Sequence, residues 1–255
     1  MSGQGGALPS SMGLGYVYFD YVNPAVMRLL GTGQSVLDVG CGTGALARAA
    51  QDAGNRVTGV ELWEPAAVKA RERVGRVVVH DVTDTAGLTA ALGEQFDVLV
   101  FADVLEHLPD PLRVLSGMRA LVKPGGRVLV SLPNVAAWTV RLGLLAGSFE
   151  YAESGIMDRT HLRFFTRASG RRMVEAAGFS VGRIGVTPHM ARAIWPLLKS
   201  CFRSGHGEED AGAVLASPAY QTYARWVEPV ETFIARLWPG MLATQFVFEG
   251  RRPGT

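Results

Sequence analysis

Residues 36–44 read VLDVGCGTG, an apolar run broken by Asp38 that passes straight into glycines at alternate positions, Gly40, Gly42 and Gly44. Glycine adopts positive φ without strain and lets backbone approach a bound molecule, so this arrangement suits a turn wrapped around a ligand. The spacing is GxGxG and not the GxGxxG of dinucleotide binders. Asp38 stands two residues before Gly40, and Cys41 lies within the turn. A pyrophosphate favours a helix N-terminus with no acid beside it, whereas an ammonium group is drawn to one. Glu61, with Leu62 after it, follows about twenty residues later, the distance at which an acid reaches ribose hydroxyls in nucleotide-binding sheets. Asp81, followed by Val82, closes the apolar run VVVHD. Acids at the carboxyl ends of successive strands face the crevice where open α/β sheets bind ligands.

A second group of residues is suited to moving a proton. GIMDRTHLRFFT, residues 155–166, sets Asp158, Arg159, His161 and Arg163 among apolar and aromatic neighbours. His161 is the first choice for a general base, because a near-neutral imidazole accepts a proton from a hydroxyl, and Asp158 is placed to orient it. A purely structural account of the same stretch pairs Asp158 with Arg159 and uses Phe164 and Phe165 as anchors. His107, just after FDVLVF, is a further candidate that packing would explain equally well. Asp103, Asp158 and His161 are too scattered to show metal-ligand spacing, so no metal is expected. Cys41 and Cys201 have no base at readable spacing and are expected to be inert.

These residues need a frame to hold them. Residues 35–132 alternate apolar runs with helical patterns: SVLDV, then 45–53; RVTGVE, then 65–74; VVVHD; FDVLVF, then 111–121; and RVLVSL. Strands covered on both faces read as continuous apolar runs, so the alternation indicates βαβ units around a parallel sheet. After this come a polar and aromatic insertion at 133–166, a helix at 168–177 closed by Gly178, and the strand FSVGRIGV. A second insertion, 187–243, precedes the final strand TQFVFEG. Within it Tyr220, Tyr223, Val227, Val230, Ile234 and Leu237 fall at helical spacing, with a kink expected at Pro229. Its apolar helices, IWPLL included, suit core packing or a substrate lid first, a dimer face second and a membrane surface least. Upstream, residues 1–15 read as a mobile Gly/Ser-rich arm, followed by the aromatic cluster Tyr16, Tyr18, Phe19 and Tyr21. Asn23 and Pro24 then form the N-cap and first position of a short helix ending near Gly31.

With 255 residues, 48% of them hydrophobic, the chain can bury one large core, and a single domain over 16–255 is expected. Its 25 basic and 23 acidic side chains leave a net charge of +2, far from the field that nucleic acid binding requires. Two cysteines provide no disulfide framework and fit a reducing cytoplasm. The N-terminal residues lack the pattern of a secretory leader, and no run reaches the roughly 18 apolar residues of a membrane span.

Over residues 35–132 the sequence resembles the class I S-adenosylmethionine-dependent methyltransferases. The resemblance is carried by VLDVGCGTG, Glu61, Asp81, FADVLEHLPDP and LVKPGGRVLVSLPN. It implies a Rossmann-like, doubly wound α/β sheet of seven strands with the last antiparallel, and insertions after strands 5 and 6. It further implies that Asp38, Gly40, Cys41, Gly42 and Gly44 wrap the methionine and ribose of S-adenosylmethionine and that Glu61 and Leu62 hold the ribose. Asp81 would meet the adenine amino group, Val82 would donate to the ring, and Ala102 and Asp103 would lie beside the methionine end. Residues 155–166 are similar to the Thr-His and Phe-Thr elements of ubiquinone-type and polysaccharide-pathway O-methyltransferases. That likeness points to methylation of a hydroxyl on a sugar, lipid-linked or secondary-metabolite acceptor, and the helices of the second insertion offer a homodimer face. N- or C-methylation, cofactor binding without catalysis, and dinucleotide-dependent oxidoreduction are the alternatives, the last disfavoured by the loop spacing.

Overall fold

Strand β1 (Ser35–Val39) is buried at all five positions, as expected of a strand covered on both faces. In this computed structural model, which describes residues 20–188 and 222–254, it lies between two parallel neighbours inside a seven-stranded sheet. The arm at 1–15, Tyr16, Tyr18, Phe19, the IWPLL segment, Cys201 and Tyr220 lie outside the described residues. The other strands are β2 (Arg56–Glu61), β3 (Val77–Val79), β4 (Phe96–Ala102), β5 (Val122–Pro133), β6 (Ser180–Pro188) and β7 (Ala243–Arg251). Their order is β3-β2-β1-β4-β5-β7-β6; the first five run parallel, and β7 is antiparallel to both β5 and β6. This is the Rossmann-like sheet with a reversed last strand that the motifs imply.

Side chains alternate across the sheet, so β1 contributes Leu37 and Val39 to one core and Val36 to the other. The first core lies under α4 (Thr85–Leu92), α5 (Pro111–Gly117) and α7 (Arg167–Ala176), and includes Leu88, Leu115, Met173 and the buried rings of Phe101, Phe246 and Phe248. The second lies under α1 (Pro24–Leu30), α2 (Ala45–Asp52) and α3 (Glu64–Val74). Asn23 caps α1 by accepting from the Ala25 backbone N–H at 2.9 Å. Thr166 and Ser169 form a reciprocal capping box on α7, whose Gly170 lies so close to Phe248 that an added Cβ would be 2.7 Å from the ring.

Several elements depart from the sequence expectations. Helix α4 was not foreseen because TAGLTAAL carries only Leu88 and Leu92 as large apolar residues; Asp84 starts it by capping Gly87. Helix α5 stops at Gly117 and continues as a 3-10 turn through Leu121. Strand β3 ends at Val79, so Asp81 lies beyond it in the following turn. Helix α6 (Trp138–Leu145) buries no residue, which explains why no amphipathic period marked it.

The late insertion differs most. Pro229 occupies the start of α8 (Glu228–Leu237), directly after a π-helical stretch at Tyr223–Val227, and so begins a helix where a kink was expected. Glu228, Glu231, Thr232 and Ala235 are buried, whereas Val227, Val230 and Leu237 are exposed, the reverse of core packing for the apolar positions. The Tyr223 hydroxyl donates to Glu231 at 2.8 Å, whereas the buried Thr232 Oγ1 has no partner among the described residues. A short helix, α9 (Pro239–Leu242), leads into β7. Among the described residues no helix is long and apolar enough to cross a membrane.

Phe248 is fully buried, so Phe248→Ala should lower the unfolding free energy by about 3–5 kcal/mol. Urea denaturation checks this, and a loss under about 1 kcal/mol would mean that the ring is not packed as described.

Candidate active site

The glycine turn between β1 and α2 is built from positive φ angles, 72° at Gly40, 54° at Gly42 and 85° at Gly44. At Gly40 a Cβ would lie 2.6 Å from Val104 Cγ2, and at Gly44 it would lie 3.0 Å from the Ala70 Cα, so side chains are excluded by conformation and by space. The Gly40 and Cys41 N–H groups donate to the Val60 carbonyl at 2.8 and 3.0 Å, which folds the turn back onto β2. Glu61 completes the fastening. One of its carboxylate oxygens accepts from Gly42 N–H at 2.8 Å, and the other accepts from Leu62 and Trp63 N–H, each at 2.9 Å. From the outer side, Asp20 accepts a hydrogen bond from Thr43 Oγ1 at 2.6 Å and pairs with Arg73 at 2.7 Å.

Asp38 is 3% exposed, and its Oδ2 has no hydrogen-bond partner. Burial, and then the charge of Glu61, push its pKa up to about 7. A buried carboxylate oxygen left unpaired beside a glycine turn is ready for a cation, and the ammonium of an amino acid moiety fits it. Cys41 differs. Its sulfur occupies the space beside Gly59, and burial, with Asp38 and Glu61 nearby, raises the thiol pKa strongly, consistent with an inert residue. Of the remaining expected cofactor residues, Leu62 and Ala102 are half-buried beyond β2 and at the end of β4. Asp81 is exposed and accepts from Thr83 N–H and Oγ1, both at 2.8 Å, while Val82 packs against the core.

Just past β4 the chain forms a 3-10 turn at Leu105–His107, which brings Glu106 and His107 against His161 from the insertion after β5. One donor atom from each of the three lies within 4.8 Å of the others. The histidine rings meet edge to face with centroids 4.8 Å apart, and His161 Nε2 is 4.0 Å from Glu106 Oε1. His161 Nδ1 bonds the Ile156 carbonyl at 3.1 Å. The loop is tied to the turn by Leu162 and Arg163 N–H, which donate to the Glu106 carbonyl at 2.9 and 3.0 Å. Glu106 is fully buried with neither carboxylate oxygen bonded; burial first, and Asp103 second, hold it well above the usual carboxylate range. Burial, with His161 beside it, lowers the pKa of His107 and favours its neutral form.

Asp158 does not orient His161. Its carboxylate accepts from Thr160 N–H at 2.8 Å and Thr160 Oγ1 at 2.7 Å, and Thr160 Oγ1 lies 3.1 Å from His107 Nδ1. Since the hydroxyl proton goes to Asp158, the Thr160 oxygen accepts from His107, so Asp158 sets the second imidazole instead. Arg159 pairs with Glu153 and not with Asp158. Sequence reasoning passed over Glu106 and Thr160, although an acid beside a histidine directly after a strand is a readable signal. Glu106, His107 and His161 present a carboxylate and two imidazoles, a set that can pass a proton or hold a divalent cation.

Residues 15–183 match the family model described as a methyltransferase domain. The chain is 35% identical over 167 residues to a ubiquinone biosynthesis O-methyltransferase of Thiobacillus denitrificans, a stretch covering 62% of this chain and 71% of that protein. To the protein of the same description in Idiomarina loihiensis it is 33% identical over 150 residues, 57% of this chain and 61% of the relative. A structure of a SAM-dependent methyltransferase from Archaeoglobus fulgidus superposes over 90% of each chain with a TM-score of 0.56 and 15% identity, a likeness of fold.

An ammonium placed on Asp38 Oδ2 favours the ionised carboxylate, so below pH 7 binding of S-adenosylmethionine must expel the Asp38 proton. Affinity should therefore rise with pH toward about 7, by up to about tenfold per unit, and level off above it. Calorimetry at pH 6 in buffers of different ionisation enthalpy should reveal proton release; a pH-independent affinity with no proton exchange would contradict this account of Asp38. In a separate test, Glu61→Ala removes the acceptor of three backbone donors and should weaken binding by at least about tenfold.

Proposed function

This chain belongs to the methyltransferase-domain family, and on that basis we propose that it transfers a methyl group to a hydroxyl oxygen of a small molecule. It is an enzyme whose methyl donor is S-adenosylmethionine. The observation that carries the oxygen acceptor is the pair of imidazoles, His107 and His161, beside Glu106 at the mouth of β4. A hydroxyl loses its proton as it is methylated, so oxygen transfer benefits from such groups. The relatives named as O-methyltransferases support the same choice, and suit an acceptor bearing a hydroxyl on a ring, sugar or lipid-linked carrier.

The step breaks the bond between the sulfonium and its methyl carbon, forms the oxygen–carbon bond, and releases the hydroxyl proton with S-adenosylhomocysteine as product. Most of the acceleration comes from alignment of oxygen, carbon and sulfur, because a positively charged sulfur is already a good leaving group. The glycine turn and Glu61 hold the donor, and the two imidazoles receive the proton. Asp158, through Thr160, keeps the His107 ring in register. A cytoplasmic setting belongs to the same reading, supported by a sequence whose two cysteines provide no disulfide framework.

A divalent cation held by Glu106, His107 and His161 is a second reading of the cluster. It is favoured by oxygen partners at Nδ1 of both rings, which leave each Nε2 free, and by the unbonded Glu106 carboxylate. The cation would bind the acceptor oxygen and ease its deprotonation.

With tritiated S-adenosylmethionine and a panel of phenolic and sugar hydroxyl acceptors, His161→Ala should reduce turnover about a hundredfold or more while donor affinity is retained. Wild-type turnover in that variant would remove the cluster from the mechanism. Turnover lost to EDTA and restored by a divalent ion selects the cation, and turnover indifferent to EDTA selects the proton route.

A further inference from the structure

Residues 225–238, which make up α8 and the end of the π-helical stretch before it, read RWVEPVETFIARLW, with two arginines and two glutamates. Counted along the chain these charges cancel, which is why the sequence ranks a membrane surface last. The fold separates them. Glu228 and Glu231 are buried on the inner side with Ala235, which packs into the first core, whereas Arg225 and Arg236 are exposed. The segment therefore shows solvent two positive charges and no negative one.

The rest of the outward face is apolar. Val230, Phe233 and Leu237 recur at intervals of three and four residues and so form one stripe, in which Phe233 is 63% and Leu237 72% exposed. Trp226 and Trp238 stand exposed at its two ends. Arg225 lies over the Trp226 ring, with Cζ 5.3 Å from the centroid. Five large apolar side chains exposed together along one helix differ from the scattered ones of an ordinary surface.

The chemistry of this face selects its partner. Indole rings at both ends of an apolar stripe suit the boundary between head groups and acyl chains. The two arginines can reach lipid phosphates while their stems lie along the apolar layer. Among the exposed side chains of the segment only the guanidinium and indole N–H groups can form hydrogen bonds, too few to fix the register of a protein partner. A second copy fits less well, because a two-fold pairing of this face sets arginine against arginine with no acid to offset them.

We propose that the outer face of α8 docks on an anionic lipid surface, with Val230, Phe233 and Leu237 entering the apolar layer and Arg225 and Arg236 meeting phosphates. From its C-terminal end the chain passes through α9 into β7. Asn134, just past β5, ties this corner to the sheet by donating to the Gly240 and Ala243 carbonyls at 3.2 and 2.9 Å. A docked chain thus holds the edge of the sheet that carries the candidate site close to the lipid. The attachment itself is independent of methyl transfer.

The test is flotation of the full chain with vesicles of phosphatidylcholine and phosphatidylglycerol in equal parts. The chain should float with them, and binding should fall at least about fivefold on phosphatidylcholine alone and at high salt. Phe233→Ser combined with Leu237→Ser should lower the partition at least about tenfold. Arg225→Gln combined with Arg236→Gln should lower it about tenfold on the anionic vesicles and leave the weaker binding to phosphatidylcholine unchanged. Because the replaced side chains are exposed, both variants should melt at the wild-type temperature. Failure of the wild-type chain to float, or undiminished flotation of the Phe233→Ser, Leu237→Ser variant, overturns the proposal. Melting of that variant well below the wild type would show that the face is packed within the molecule. A wild-type dimer in sedimentation that the same variant dissociates would show that a second copy covers it, and either result overturns the lipid assignment.

Discussion

The site depends on a carboxylate buried where a sheet turns into a loop. Glu61 is only 5% exposed, and an anion so placed is tolerable only if donors surround it. Its donors are the Gly42, Leu62 and Trp63 N–H groups. Meeting that requirement draws the glycine turn of one strand onto the end of the next, which gives the ligand crevice its floor. The turn can comply because glycine adopts the positive φ values that other residues resist. Charge burial and backbone freedom are thus two halves of one device, and the open oxygen of Asp38 lies within it.

A second level of organisation comes from the reversed strand. Strand β7 enters between β5 and β6, so Gln245 reaches across to the end of β4 while its neighbours extend the sheet. Parallel strands alone bring their carboxyl ends to one edge. The reversal adds residues from the beginning of a strand to that edge, here the amide that reaches Asp103. Residues far apart in the chain, such as Asn23 and Gln245, consequently share one polar line.

Much of the cofactor half was legible from the chain itself. The runs SVLDV and RVTGVE became β1 and β2 at the expected residues, because strands buried on both faces are rich in apolar residues and polar ones concentrate at their ends. The insertions were read less well. Helix α6 buries nothing, and α8 turns its glutamates inward and Val230 and Leu237 outward, so a rule assigning apolar residues to the interior misplaced that face. The pairing of Asp158 was misjudged for a different reason. Asp158 was expected to orient His161, but an aspartate in a tight turn bonds its own backbone two residues ahead. Glu106 gave a local signal, yet its importance comes from a loop more than fifty residues later closing over it.

Cys41 sits in the middle of the donor-binding turn, where a reactive sulfur would be a vulnerability. Its burial, its tight fit beside Gly59 and its raised pKa deny it the anionic form on which peroxides and alkylating reagents act. At this position the donor-binding turn is therefore protected by packing from the oxidation to which an exposed thiolate in the same loop would be open.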